Sequence, residues 1–364
     1  MPMGRPKDRK PLFSLVMPVY GVESYIADSI ADLLTQSFGD FELIVVDDCS
    51  PDRSIAIVED LAHADSRVTI VHHEHNRGLS QARNTGIRAA SGEWLTFPDP
   101  DDRYDSNMLE VVHNAIASSP ADLVIFGHTQ EYYGPNNEHL YDNPIELESH
   151  LYRGAAEIAS GALKLERQTH LGYAWNKMYR ASVIREAGLF FEDDVPLIED
   201  ILFNIAYLRH CNSITTVSER PYNYAKRLKN NLTNEFIPNY YELHHRRIAE
   251  LRNYIDDCGV LDDEAKSTLG ALFARYVLSS IEQNTNPKAH MTIAQQKAWL
   301  ERLFDDDLFV ELVPHAHAHD SKALELCLRI LNSHNIPALL AIGNAIHAVR
   351  YHGRTFYTKV KSGR

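Results

Sequence analysis

From Leu12 to Gly127, short apolar runs alternate with segments of helical period: LFSLVMP, SYIADSIADLLTQ, FELIVVDD, SIAIVEDLAH, RVTIVHH, LSQARNTGIRAA, EWLTFPD, NMLEVVHNAI and DLVIFG. Near-continuous apolar strands separated by helices predict an α/β fold whose central sheet is mostly parallel and covered on both faces. Ligands of such sheets bind beyond the carboxyl ends of the strands, so the polar residues that follow each strand become the site candidates. Residues His128 to His150 carry glycine, proline and many aromatics without a clean period, and read as a long excursion of the lid type rather than a core element. Order returns with a helix over Gly154 to Glu166, the segment WNKMYR, helices over Ala181 to Ala187 and Glu199 to Arg209, and a closing strand, ITTVSERPYNY. From Glu235 onward the apolar spacing is i, i+3, i+4 almost throughout. The expected division is an α/β domain over 1–234 and a helical C-terminal region over 235–364.

Composition changes this picture in three places. A formal net charge of −14 argues against general affinity for nucleic acid, which needs a clustered positive surface. The ends run the other way: Arg5, Lys7, Arg9 and Lys10 open the chain, and after Glu325 only Arg329, Arg350, Arg354, Lys359, Lys361 and Arg364 carry charge. The segment Pro337–Val349 with this basic tail has two open readings, a helix lying on an anionic bilayer or a helix docked on the bundle or a partner subunit. The cysteines Cys49, Cys211, Cys258 and Cys327 form no CxxC pair and read as free thiols. No run reaches the ~18 apolar residues of a membrane span, and the polar start lacks the apolar core of a signal peptide, so a cytoplasmic chain is expected.

Four groups of polar residues carry candidate chemistry. Asp99, Asp101 and Asp102 follow a buried strand, and acids this close repel unless a cation sits among them; Mg²⁺ or Mn²⁺ binds one or two carboxylates plus substrate phosphates. The alternative is a solvated acidic turn capping the next helix. Asp47 and Asp48 end the strand FELIVVDD, where an acid can accept from a ribose hydroxyl or a uracil imide, or else cap the helix that follows. Asn76 to Gly86 opens a helix with a glycine turn and sets Arg83 in its first turns, facing a diphosphate or plain solvent. Glu199 and Asp200 stand at a helix start; Asp200 is the candidate base for an acceptor hydroxyl, against the alternative of a helix-dipole charge. The tract His315, His317, His319 has the wrong spacing for a helix face and reads as a solvated loop. His72, His73 and His75 read as decoration of a strand exit, and Asn231–Thr233 as an unused glycosylation sequon.

Together these groups resemble glycosyltransferase family 2, the inverting enzymes of the GT-A fold, over about residues 12–234. The family's opening motif is seen at Pro18-Val19-Tyr20-Gly21, its Val-Asp-Asp-Gly-Ser at Val46–Ser50, its Asn-x-Gly at Asn76 and Gly78, its Ala-Arg-Asn-x-Gly at Ala82–Gly86, and its Gly-Glu-aromatic motif at Gly92–Trp94. The Asp-x-Asp metal motif falls on Asp99-Pro100-Asp101. The chain departs from the pattern at Gly21, Cys49, Pro100 and Ala225, and Cys49 in place of glycine implies a turn without positive φ.

The resemblance implies a UDP-sugar donor, with Pro18, Val19, Tyr20, Asp47, Asp48, Asn76, Arg83, Asp99 and Arg227 on the donor side and Mn²⁺ or Mg²⁺ at Asp99 and Asp101. It implies a glycan or lipid-linked acceptor beside Trp175, Lys177 and Glu199, with Asp200 as the base of a single in-line displacement. Cell-surface polysaccharide or teichoic acid synthesis at the inner face of the plasma membrane is the implied setting, with oligomerisation through the helical region as a further expectation. Two other readings stand beside it: a nucleotide-sugar-binding scaffold without turnover, and a nucleotidyltransferase. The second usually carries a glycine-rich phosphate loop after the first strand, where this chain has Pro18–Ser24.

Overall fold

The computed structural model describes residues 10–63, 65–193, 195–227, 236–318 and 322–352. Arg5, Lys7, Arg9, Arg354, Lys359, Lys361, Arg364, the Asn231–Thr233 sequon, His319, Asp320, the side chain of Arg350 and the 234/235 division lie outside the described residues. The chain forms two compact units, one of residues 1–158 and 168–230, the other of 159–167 and 231–364.

In the first unit the sequence pattern becomes β1 (Phe13–Val19), α1 (Ile26–Leu34), β2 (Phe41–Asp47), α2 (Ser54–Ala62), β3 (Val68–His72), α3 (Leu79–Ala89) and β4 (Trp94–Thr96). These strands lie in the order β3-β2-β1-β4, all parallel. Every β1 residue is buried, because parallel strands are covered on both faces: Phe13, Leu15 and Met17 share one core with Ile26, Ile30 and Leu33 of α1. On the other face α3 approaches β1 so closely that a Cβ on Gly86 would lie 2.1 Å from Val16 Cγ1.

Beyond β4 come β5 (Arg103–Tyr104), α4 (Met108–Ser118), β6 (Leu123–Tyr133), β7 (His139–Ile145), β8 (His150–Arg153), α5 (Ala155–Arg167), β9 (Lys177–Arg180), α6 (Ala181–Ala187), α7 (Glu199–Leu208) and β10 (Ser213–Arg227). The sheet continues β9-β6-β10-β5, with β7 on β6 and β8 on β10. Here the pairing is mixed: β9 runs antiparallel to both β4 and β6, while β10 runs parallel to β6. The stretch read as an irregular excursion is an ordered hairpin, since β6 runs on to Tyr133 and β7 returns along it from His139 to Ile145. Its turn is closed by the Gly134 amide donating to the Glu138 carbonyl at 2.8 Å. Alternation of tyrosines with Gln130, Glu131, Asp142 and Asn143 blurred its period, because both faces of the ribbon carry polar and aromatic groups.

The second unit holds α8 (Tyr240–Asp257), α9 (Asp263–Thr285), α10 (Ile293–Phe304), α11 (Asp307–Leu312), α12 (Lys322–Asn332) and α13 (Ile336–His352). The α13 helix packs along α9: Leu339 is fully buried, and a Cβ on Gly343 would lie 2.9 Å from Ile281 Cγ2. Of the two readings of this segment, docking on the bundle is what the described residues show. No helix among them is long and apolar enough to cross a membrane.

Candidate active site

The parallel strands deliver three polar loops to one edge of the sheet. After β1, Tyr20 projects with half its surface exposed, while Pro18 and Val19 are buried and the Val19 carbonyl accepts the Asp48 amide at 3.0 Å. The exits of β1 and β2 are stitched together: the Gly21 amide donates to Ser50 Oγ at 2.9 Å, and the Glu23 amide to Asp52 Oδ2 at 2.9 Å. Asp47 accepts from the Ser50 amide at 2.9 Å. Cys49 sits between them at φ 60°, so the expectation that a non-glycine residue here avoids positive φ is wrong; the Asp47–Ser50 bond closes the turn in the left-handed region regardless.

Asp48 is turned inward, 3% exposed. It accepts from the Arg77 amide at 2.8 Å, the Gly78 amide at 2.8 Å and His73 Nδ1 at 2.7 Å. Its carboxylate thereby fixes the turn that starts α3, and leaves Asn76 exposed just before it. His73 is no surface decoration. Its other nitrogen lies 2.8 Å from Thr85 Oγ1, so the ring joins the ends of β2 and β3 to α3.

Arg83 is 1% exposed and does not point to open solvent. Its guanidinium lies 2.5 Å from Asp200 Oδ1, 3.4 Å from Asp99 Oδ1 and 3.7 Å from Glu199 Oε1. Burial alone would lower its pKa; the carboxylates of Asp200, Asp99 and Glu199 more than reverse that. One guanidinium among three carboxylates is too little positive charge. Accordingly burial, reinforced by the neighbouring acids, pushes Asp99 up to about 7 and Glu199 up to about 7, against the pull of Arg83. Glu199 Oε2 is buried without a hydrogen-bond partner. Asp200 Oδ2 accepts the Ala174 amide at 2.9 Å, which fixes the candidate base from a second side.

The loop after β4 is held from β10. Asp102 is 1% exposed, accepting from the Tyr222 hydroxyl at 2.7 Å and the Ala225 amide at 2.8 Å, and its pKa is driven well up by burial. The Tyr222 oxygen also accepts the Asp99 amide at 3.2 Å. With Asp102 committed inward, Asp99 and Asp101 keep partly exposed side chains, 25% and 43%. Asp101 is paired with Arg227, whose Nη1 lies 3.1 Å from its Oδ2.

The sequence reading sets Trp175 and Lys177 beside the acceptor; in the structure both side chains are buried. Lys177 is fully buried and donates to the carbonyls of His170 and Tyr173, at 2.7 and 2.5 Å, and to Asn176 Oδ1 at 2.8 Å. Trp175, 2% exposed, is stacked between Tyr173 and Tyr222, with ring centroids 4.5 and 4.3 Å away. An ammonium out of water must be saturated by oxygens, and the 170–176 loop supplies them. Among the residues that build the site, the sequence reading names Asp102 only as one of three clustered acids and His73 as strand-exit decoration, and it does not name Tyr222, which no local signal marks.

A divalent cation suits this arrangement by charge. Among the described residues, Asp99, Asp101, Glu199 and Asp200 pair with Arg83 and Arg227, which leaves a surplus of two negative charges when all are ionised. Among the described residues no three His, Cys, Asp or Glu side chains converge to enclose a metal by themselves. Two carboxylates that leave most coordination positions to phosphate and water are the usual arrangement for Mg²⁺ or Mn²⁺.

Comparison with known proteins agrees with this architecture. Residues 14–188 match the domain of glycosyl transferase family 2. Uncharacterized glycosyltransferase EpsJ of Bacillus subtilis is 33% identical over 216 residues, 59% of this chain and 61% of that protein. Poly(ribitol-phosphate) beta-N-acetylglucosaminyltransferase TarS of Staphylococcus aureus is 24% identical over 307 residues, 83% of this chain and 50% of the relative. The crystal structure of TarS 1–349 in complex with UDP-GlcNAc superimposes with a TM-score of 0.60 at 20% identity, covering 94% of this chain and 92% of that one. The chain thus spans about 60% of the length of the first curated relatives it matches. The shared fold is the GT-A fold, a central sheet followed by a helical C-terminal region.

Proposed function

We propose, from the premise that residues 14–188 make this chain a member of glycosyl transferase family 2, that it transfers a sugar from a UDP-sugar to a hydroxyl of a glycan or lipid-linked acceptor with inversion. The observation that carries the reading is the convergence of Asp99, Asp101, Glu199 and Asp200 on two arginines at the carboxyl edge of a parallel sheet. Uridine is assigned to the edge of β1 and β2, with Tyr20 as the exposed ring for the base and the Asp47–Asp48 turn and Asn76 around it.

Asp200 takes the proton of the acceptor hydroxyl while that oxygen bonds to the anomeric carbon; the bond from this carbon to the diphosphate oxygen breaks, and UDP departs. Arg83 and the Ala174 amide orient the two oxygens of Asp200. Arg227 meets the diphosphate. Asp99 and Asp101 would hold a Mn²⁺ or Mg²⁺, which when bound supplies positive charge for the leaving group. Preorganised charge of this kind is where most of the barrier reduction in such a displacement arises. A setting in cell-surface polysaccharide or teichoic acid assembly, on the cytoplasmic side of a membrane, draws support from the names of relatives such as TarS.

The reading is tested by calorimetric titration of UDP with and without Mn²⁺ on the wild type and on Asp101→Ala. Metal-dependent binding that disappears in the variant is expected, and UDP-GlcNAc is the first donor to assay. A wild type that binds UDP under neither condition would sink the proposal.

A further inference from the structure

Arg227 is the last residue of β10, paired in register with Tyr133 at the end of β6. Its guanidinium grips one residue at two points: Nη1 lies 3.1 Å from Asp101 Oδ2, and Nη2 donates to the Asp101 carbonyl at 2.7 Å. The plane of the group is fixed by aromatic rings, 3.9 Å from the Tyr25 centroid and 5.4 Å from that of Tyr133. The Arg227 side chain is 15% exposed against 43% for Asp101, so the carboxylate faces outward and the guanidinium stands behind it. Nε is buried and has no hydrogen-bond partner.

A carboxylate oxygen held by one guanidinium N–H, with the same guanidinium anchored on the main-chain carbonyl beside it, is a poor ligand for a hard cation, since the two cations compete for it and repel each other. A diphosphate changes the balance, because it offers the guanidinium a second set of anionic oxygens. We propose that Arg227 is a latch on Asp101: it competes with the divalent cation for this carboxylate, and the diphosphate releases it by drawing the guanidinium onto itself. Metal and nucleotide then bind interdependently, each raising the affinity of the other, as thermodynamic linkage requires. The inference rests on the donor-site reading above and adds to it a coupling, in which metal binds weakly until the nucleotide is present.

The test is Mn²⁺ titration by calorimetry, with and without saturating UDP, on wild type, Arg227→Ala and Arg227→Lys, each checked by thermal melting. Without UDP, Arg227→Ala is expected to bind Mn²⁺ more tightly than wild type by about fivefold or more, and the factor by which UDP tightens Mn²⁺ binding is expected to fall by a similar amount. Arg227→Lys keeps the charge but cannot make the two-point grip, so it should follow Arg227→Ala; it also carries the test if the alanine variant fails to fold. Unchanged or weaker Mn²⁺ affinity in both variants overturns the latch, as does a lysine variant equal to wild type, which would reduce the effect to charge at a distance. If these results come with intact metal-dependent UDP binding, the latch alone fails; a wild type that binds no UDP under any condition removes the donor-site reading beneath it.

Discussion

Asp200 receives hydrogen bonds from Arg83 and from the Ala174 amide, so an amide in its place keeps the shape and loses the ability to take a proton. Asp200→Asn is expected to lower transfer by about 10²- to 10⁴-fold while metal-dependent UDP binding persists. Full transfer activity in that variant would assign the base elsewhere. Its neighbour Glu199 gives a pH prediction. Its carboxyl, pushed up to about 7 from an ordinary 4.5, keeps a proton in the folded state that the unfolded chain has already released. The stability this contributes is complete below pH 4.5 and is lost as pH rises through about 7. The melting temperature of the wild type relative to Glu199→Gln should therefore fall between pH 5 and pH 8, by about 5 °C. Parallel melting curves across that range would mean that Glu199 stays ionised throughout. At this scale sequence marks residue types and not their orientation: the side chains of Asp48, Trp175 and Lys177 are all buried. Whether a polar side chain meets a ligand or buried backbone depends on how the chain folds around it, by a distant partner such as Gly78 for Asp48 or a loop that turns back such as His170 for Lys177.

Elements carry the next level, because the loop bearing Asp99 and Asp101 is positioned from β10, more than a hundred residues later. Tyr222 bridges the two: its hydroxyl donates to Asp102 and accepts the Asp99 amide. Tyr222→Phe leaves a buried carboxylate oxygen and an amide short of their partners, at an expected cost of about 1–3 kcal/mol in chemical denaturation. Metal-dependent UDP affinity should fall with it, since the loop loses its tether; unchanged affinity would show that the Ala225 amide on Asp102 and the Tyr104 hydroxyl, which donates to the Asp99 carbonyl, suffice to hold it. On the opposite side, Gly86→Ala drives a methyl into Val16 and shifts the helix that carries Arg83, an overpacking of about 1–3 kcal/mol measurable by the same method. The elements of the first half were legible because parallel strands are apolar on both faces and their helices amphipathic, so period and run length agree. The β6–β7 hairpin was not, because its ribbon mixes aromatic and polar side chains on both faces and no two-residue period survives. Sheet order beyond β4 was equally hidden, since β9 inserts antiparallel between β4 and β6 and nothing local in WNKMYR specifies either neighbour.

At the scale of the whole molecule, both units bury charge, but the candidate chemistry lies in one of them. Every candidate site residue from Pro18 to Arg227 falls in the first unit. The second has its own buried ion pair, Glu166 on α5 with Arg247 on α8, 2.5 Å apart and 2% and 13% exposed. Glu166 lies in helix α5, whose residues from Ala159 onward belong with the later helices, a grouping that no local feature of sequence announces. The second oxygen of Glu166 is buried without a partner, so the carboxylate depends on Arg247. Removing the guanidinium strands a charge out of water, which costs more than the pair itself contributes. Arg247→Ala is therefore expected to lower unfolding free energy by about 3–5 kcal/mol. Below the transition, UDP and Mn²⁺ titrations of the same variant should match the wild type, because no group that touches the donor has been altered. A variant that melts normally would mean that water reaches Glu166.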